Sequence, residues 1–190
     1  KNINCVIYAF EPSVYFLDFL SKVLINNKNV ALNFINQGLG AEKSEKKLFL
    51  PYSLSSLATM HKLKDVNYPD EFTENITIVS LDEFAVSENI TTIDLLKLDI
   101  EGNEYEALMG AKHLLEKRKI NYIQFEFGEH NLVSRVFFRD FFDLLNDCYD
   151  IYRVLPRGLR KIKKYTTDLE VFDTIIYLAE LKIMKHDSFH

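Results

Sequence analysis

Ile93-Asp94-Leu95-Leu96-Lys97-Leu98-Asp99-Ile100-Glu101-Gly102 is an apolar run that ends on acid, and Asn103-Glu104-Tyr105-Glu106-Ala107-Leu108-Met109-Gly110-Ala111 follows it at helical spacing. Residues 93–100 read as a strand. The stripe of Tyr105, Leu108, Met109 and Leu115 predicts a helix over 103–119. Asn103, with Glu106 three residues on, predicts an N-terminal capping pair. Side chains at i, i+2 and i+4 share one face of a strand, so Lys97, Asp99 and, if the strand persists, Glu101 point the same way. Charges inside a buried strand are costly unless they pair with each other or face a ligand.

Outward from this stretch the pattern repeats. Residues 3–10 are apolar apart from Asn4 and predict a strand buried on both faces. Glu11-Pro12 stops it, with Pro12 suited to the first turn of a helix carrying Phe16, Leu17, Leu20, Val23 and Leu24. Asn26-Asn27 ends that helix. A strand is predicted over 30–35, closing at Asn36-Gln37-Gly38, and a short one over 47–52. Residues 53–74 are polar and irregular, a loop or lid. A strand over 76–81 and a helical turn over 82–87 lead into the central stretch. After it come a strand over 122–127, a helix over 135–146 buried through Phe138, Phe141, Phe142 and Leu145, and strands over 149–155 and 174–181 with a basic stretch between them. Strands alternating with helices predict an α/β fold with a mostly parallel sheet. The last two strands, lacking a helix between them, predict an antiparallel edge.

Composition limits the function. The chain has 190 residues, suited to one domain over 1–190, and 47 % apolar types, enough for a core. Lys plus Arg total 23 against 28 Asp plus Glu, a net charge of -5, which argues against nucleic acid as a general partner. No apolar run reaches the ~18 residues of a membrane span. Cys5 and Cys148 make no disulfide framework and are expected reduced, in a cytoplasmic protein. Two Asn-x-Thr triplets, at Asn75 and Asn89, carry no weight.

In open α/β sheets ligands bind beyond the carboxyl ends of the strands. Glu11 ends the first strand, where a carboxylate offers two acceptors to a ribose diol; it could equally serve the following helix dipole. Asn36 and Gln37 end the second. Asp99 and Glu101 end the central strand and suit a cation, a sulfonium cofactor or a base, or merely a helix-entry turn. The next strand carries Gln124 and Glu126, with His130 a little further on; the plainer reading of His130 is a solvent-exposed loop residue. Arg157, Arg160, Lys161, Lys163 and Lys164 read as a solvated hairpin turn, with an anionic partner the alternative.

The stretch from Asp94 to Ala111 resembles the central signature of the FkbM-type methyltransferases. Supporting likenesses occur in the family's order: Val6-Ile7-Tyr8-Ala9-Phe10-Glu11-Pro12, Asn36-Gln37-Gly38-Leu39-Gly40, Val79-Ser80-Leu81-Asp82-Glu83-Phe84 and Gln124-Phe125-Glu126. The resemblance implies a class I, Rossmann-like fold and S-adenosylmethionine-dependent methyl transfer to a hydroxyl of a sugar, glycan or natural product. It implies that Glu11 binds the cofactor ribose, that residues near Asn36 and Gln37 approach the adenine, and that Asp99, with Glu101 close by, lies beside the cofactor and the reacting centre. It makes Glu126 a substrate or catalytic residue. Base candidates are Asp99, Glu126 and His130, in that order; a divalent cation is an open expectation.

The family begins with a strand and glycine-rich loop that should precede Ile3; in its sheet order, 3-2-1-4-5-7-6, that first strand lies between strands two and four. With only 6 glycines and Lys1 leading, the sequence predicts a domain lacking its first strand-helix unit. Two other readings stand beside this one: a non-catalytic methyltransferase-like scaffold, and an α/β enzyme of another nucleotide.

Overall fold

The structure is a computed structural model that describes residues 5–23, 30–52, 55 and 57–183. Strand β1 (Cys5–Phe10), helix α1 (Val14–Val23) and strand β2 (Val30–Ile35) form the first unit, with β1 and β2 parallel from Cys5 opposite Val30 to Phe10 opposite Ile35. Ile3, Leu24 and the Asn26-Asn27 stop lie outside the described residues. β1 is not buried on both faces: Val6 is 59 % exposed. Among the described residues β2 is its only strand neighbour. Only the second half of β1 is covered, where Tyr8 and Phe10 meet Phe84 edge-on at centroid distances of 5.3 and 4.7 Å.

Strands β3 (Gly38–Leu39), β4 (Ser44–Phe49) and β5 (Thr73–Val79) form a second sheet in the order β3-β5-β4, with β3 parallel and β4 antiparallel to β5. β4 begins earlier than its apolar residues suggested. Glu45, Lys46 and Lys47 are exposed on it, and charge is what a sheet edge tolerates. Leu48, Leu50, Ile76 and Ile78 make a small core here with Phe16 and Met60. Residues between β4 and β5 are largely irregular, as expected, up to a 3-10 turn at Asp70–Phe72.

Helix α2 (Leu81–Ser87), capped by Ser80, leads to strand β6 (Ile93–Leu98). The helix expected over 103–119 is two helices, α3 (Glu104–Met109) and α4 (Lys112–Glu116). The break has a steric cause: a Cβ on Gly110 would lie 2.0 Å from the Gly40 carbonyl oxygen, so the chain turns where two backbones touch. Asp82 then caps α4 from α2, accepting from the His113 and Leu114 N–H groups at 2.8 and 3.0 Å.

Strand β7 (Ile120–Phe127), helices α5 (Glu129–Ser134) and α6 (Phe138–Leu145), and strands β8 (Tyr149–Leu155), β9 (Gly158–Ile162) and β10 (Ile175–Leu181) follow among the described residues. The helix expected to begin at Arg135 is preceded by a separate one, because Arg135 adopts a left-handed conformation (φ 60°) that ends α5. The large sheet has the order β6-β7-β10-β8-β9. β6 and β7 are parallel; β10 is antiparallel to both β7 and β8, and lies between them rather than at an edge. The basic stretch is the hairpin of β8 and β9, with Lys161 paired to Asp150 at 2.5 Å.

The main core lies between this sheet and its helices. Phe125 stacks on Phe141 and Tyr177 at 4.7 and 5.5 Å, and all three are fully buried. Burial of each large side chain contributes roughly 1.5–3 kcal/mol. The architecture is mixed α/β with open sheets. β1 and β6 each have one parallel neighbour among the described residues and do not pair with each other.

Candidate active site at two strand-to-helix turns

The first turn follows β1. The Glu11 N–H continues the parallel ladder to the Ile35 carbonyl at 3.0 Å. Pro12 then turns the chain, and the Ser13 N–H donates to Glu11 Oε1 at 2.9 Å. Two distant side chains hold this corner. Asn36 Nδ2 donates to the carbonyls of Glu11 and Pro12 at 3.2 and 2.9 Å. Glu74 accepts from Ser13 Oγ at 2.6 Å and from the Val14 N–H at 3.0 Å. The second oxygen of Glu11 accepts no hydrogen bond from the described residues. Burial raises the Glu11 pKa, the Ser13 N–H opposes that rise, and the Glu74 carboxylate adds to it.

The second turn follows β6. Lys97 and Asp99 share a strand face, as predicted, and pair at 2.8 Å; both are about half exposed. Glu101 has left the strand. It adopts φ 53°, and Gly102 follows at φ 99°. Glu104, 1 % exposed, accepts from the Ile100 and Gly102 N–H groups at 2.9 and 3.0 Å, which fixes this left-handed turn. Asn103 makes no side-chain cap; its Nδ2 donates instead to the Leu39 carbonyl at 2.7 Å. The predicted capping pair fails because a carbonyl far along the chain competes for the same amide.

The turn carries Glu101 to His130. Glu101 Oε2 and His130 Nδ1 are 3.0 Å apart, and the side chains are 18 % and 12 % exposed. His130 is thus a largely enclosed residue of α5, not a solvent-exposed loop residue. Gly102 is required at its position: a Cβ there would lie 2.7 Å from His130 Cβ, on top of the positive φ. From the irregular segment between β4 and β5, Thr59 Oγ1 donates to the Glu101 carbonyl at 2.8 Å.

The two turns share one strip of backbone. Asn36, at its start, holds the first turn, and the Leu39 carbonyl, near its end, holds Asn103 of the second. Gln37 lies between these anchors, half-buried. Both turns therefore flank Asn36-Gln37-Gly38-Leu39-Gly40, although no hydrogen bond joins Glu11 to Asp99 among the described residues.

The family described as Methyltransferase FkbM domain matches residues 2–152. The chain belongs to that family. Comparison with curated proteins and with solved structures brings no match. The matched residues contain both turns and the strip between them, and end within β8; β9 and β10 lie beyond.

In this FkbM methyltransferase domain the acidic turn has uneven electrostatics. Burial pushes Glu104 up to about 7, despite its two backbone donors. Glu126, half-buried on β7, is raised by burial first, then by the Asp99 and Glu101 carboxylates. The hydrogen bond to Glu101 raises His130. His61 is lowered, chiefly by burial, and the neighbouring His130 adds to that. Asp99, Glu101, Glu126 and His130 are thus one neighbourhood, whereas Glu11 and Asn36 belong to the other turn. His61, Thr59 and Glu104 were not anticipated as site residues. His61 and Thr59 lie in a segment without periodicity, and Glu104 reads in sequence as an ordinary first-turn acid. Among the described residues no group of three or more His, Cys, Asp or Glu side chains could hold a metal ion, so the expected cation gains no site. No helix among the described residues is long and apolar enough to cross a membrane.

Proposed function

We propose that the domain is an S-adenosylmethionine-dependent O-methyltransferase of the class I, Rossmann-like arrangement, with a small-molecule or glycan hydroxyl as acceptor. The observation that carries the reading is Glu11. Its carboxylate ends a parallel strand, one oxygen is held by the Ser13 N–H, and the other, which accepts nothing from the described residues, would accept from a ribose diol. The residues present fit the cofactor in a second respect. Asp99, Glu101 and Glu126 gather negative charge at the other turn, and Glu126 is raised by the two nearby carboxylates, an environment that a sulfonium cation would relieve. The order β6-β7-β10-β8, with β10 antiparallel, and the separate parallel pair of β1 and β2 support the class I arrangement.

The bound cofactor supplies a methyl group activated as a sulfonium. The chain's own work is to bind, orient and remove a proton. Glu11 holds the ribose, Asn36 and Gln37 lie on the adenine side, and Asp99 and Glu101 face the cationic end. Asp99, Glu126 and His130 are the groups able to take the hydroxyl proton.

Calorimetric titration with S-adenosylmethionine tests the reading. Glu11→Gln should weaken binding about tenfold, the loss of one charge-assisted hydrogen bond, while the circular dichroism spectrum stays unchanged. Asp99→Asn, which removes a charge facing the cationic end, should lower cofactor affinity and methyl transfer together and leave folding intact; near-wild-type affinity and turnover remove Asp99 from the site. Absence of heat with the wild-type protein favours a scaffold. Preferential thermal stabilisation by a nicotinamide or sugar nucleotide favours another nucleotide enzyme.

A further inference from the structure

His130 Nε2 is buried and has no hydrogen-bond partner among the described residues. Its other nitrogen, Nδ1, is held by Glu101 at 3.0 Å. A buried polar atom without a partner costs about 1–3 kcal/mol, and here the surroundings impose it at three points. Glu101 reaches the imidazole only from a left-handed backbone conformation, φ 53°, which costs a non-glycine residue about 1–2 kcal/mol. Gly102 leaves no room for a Cβ beneath His130. Glu104, buried, clamps the N–H groups on either side of Glu101. The irregular segment from β4 to β5 is tied over the same turn through Thr59, and it brings His61, whose Nε2 is likewise buried and without a hydrogen-bond partner among the described residues.

We propose that His130 is the general base of the methyl transfer and that Glu101, rather than Asp99, is the carboxylate that serves it, as a positioning residue. The proposal rests on the O-methyltransferase reading above. The Glu101 carboxylate accepts the Nδ1 hydrogen, so the neutral imidazole keeps its lone pair on Nε2. Nε2 takes the acceptor's hydroxyl proton as that oxygen's lone pair forms the bond to the methyl carbon and the carbon–sulfur pair leaves with sulfur. The positive charge lost at the sulfonium reappears on the imidazolium, against Glu101. Asp99, paired with Lys97 and half exposed, has no such arrangement.

The charged and titratable groups facing His130 are Glu101 in the turn, Glu104 on α3, Glu126 on β7, Glu129 on its own helix and His61 in the irregular segment. Two variants separate their effects. Glu101→Asn tolerates the left-handed backbone but is too short to reach; Glu101→Gln reaches and accepts without charge. Nitrogen-15 NMR of the histidines, on the full chain without acceptor, should find wild-type His130 in the Nδ1–H tautomer and titrating above the ordinary histidine value. Both variants should lower that value; the tautomer should persist in Glu101→Gln and be lost in Glu101→Asn. With radiolabelled S-adenosylmethionine and a panel of sugar hydroxyls, the rate should rise with pH through the His130 titration, move to lower pH in Glu101→Gln, and fall at least a hundredfold in His130→Gln with cofactor affinity kept. A His130 titration unmoved by either variant overturns the proposal, as does a His130→Gln rate within threefold of wild type. Failure of the wild-type protein to bind S-adenosylmethionine defeats the underlying reading instead.

Discussion

The two strand-to-helix turns solve the same problem in opposite ways. After β1, Glu11, Pro12 and Ser13 are held from outside, by Asn36 and Glu74, and one carboxylate oxygen accepts nothing from the described residues. After β6, the turn holds itself. Glu104, five residues beyond Asp99, reaches back to two N–H groups, and the backbone passes through two positive φ angles to do so. The first turn is an offered hydrogen-bonding edge. The second is an enclosed, over-determined corner whose product is one carboxylate against one imidazole. A group that must only bind can be left adjustable; a group that must hold a proton in one place needs its backbone fixed.

Substitutions can break this contrast, beginning with the largest effect. Gly102→Ala should cost about 4 kcal/mol, the sum of a strained left-handed residue and an overpacked contact with His130, read as a lower urea midpoint at unchanged slope. A cost below 1 kcal/mol would mean the corner is not over-determined. Next comes Glu104. Its pKa in the folded protein is about 7 against an ordinary 4.5, so the folded state holds the proton more tightly than the unfolded one. That contribution is fully present below pH 4.5 and is lost as pH rises through about 7; the shift corresponds to about 3 kcal/mol. Urea midpoints measured across this range should fall with pH in the wild type and flatten in Glu104→Gln. Third, Asn36→Ala removes the two Asn36 hydrogen bonds from the first turn, leaves those to Glu74, and should cost about 1 kcal/mol, because the site is exposed. Equality with the Gly102 variant would erase the distinction. Smallest is Lys97→Ala: an exposed pair is worth less than about 1 kcal/mol, so thermal unfolding should barely move.

Much of the frame is legible in the residues themselves. β2 and β8 fall where their apolar runs predict, and the face shared by Lys97 and Asp99 follows from strand geometry alone. What the pattern hides is decided by partners far along the chain. Asn103 has the spacing of a cap and is taken by the Leu39 carbonyl; Gly110 sits inside a helical stripe and is turned by contact with Gly40. The site shows the same division. The acids at the strand ends could be named from position, and Glu11, Asp99 and Glu101 are where strands end. That Glu101 would pair with His130, and that His61 would stand beside it, depends on a left-handed backbone and on a segment with no periodicity. Helix α5 escaped notice because six residues are too few to show an apolar stripe.

The position of β10 bears on how the protein is made. Among the described residues it is the last strand in sequence, yet it lies between β7 and β8. During synthesis β7 and β8 therefore emerge with facing edges and no strand to join them. Ile175 follows Leu155 by twenty residues, on the order of seconds of translation. Over that interval Phe125 and Phe138 lack Tyr177. A fragment cut at residue 152, where the family match ends, would be arrested in that state. The nascent chain should thus stay protease-sensitive until the end of β10 clears the ribosome, and then close its aromatic core in one step.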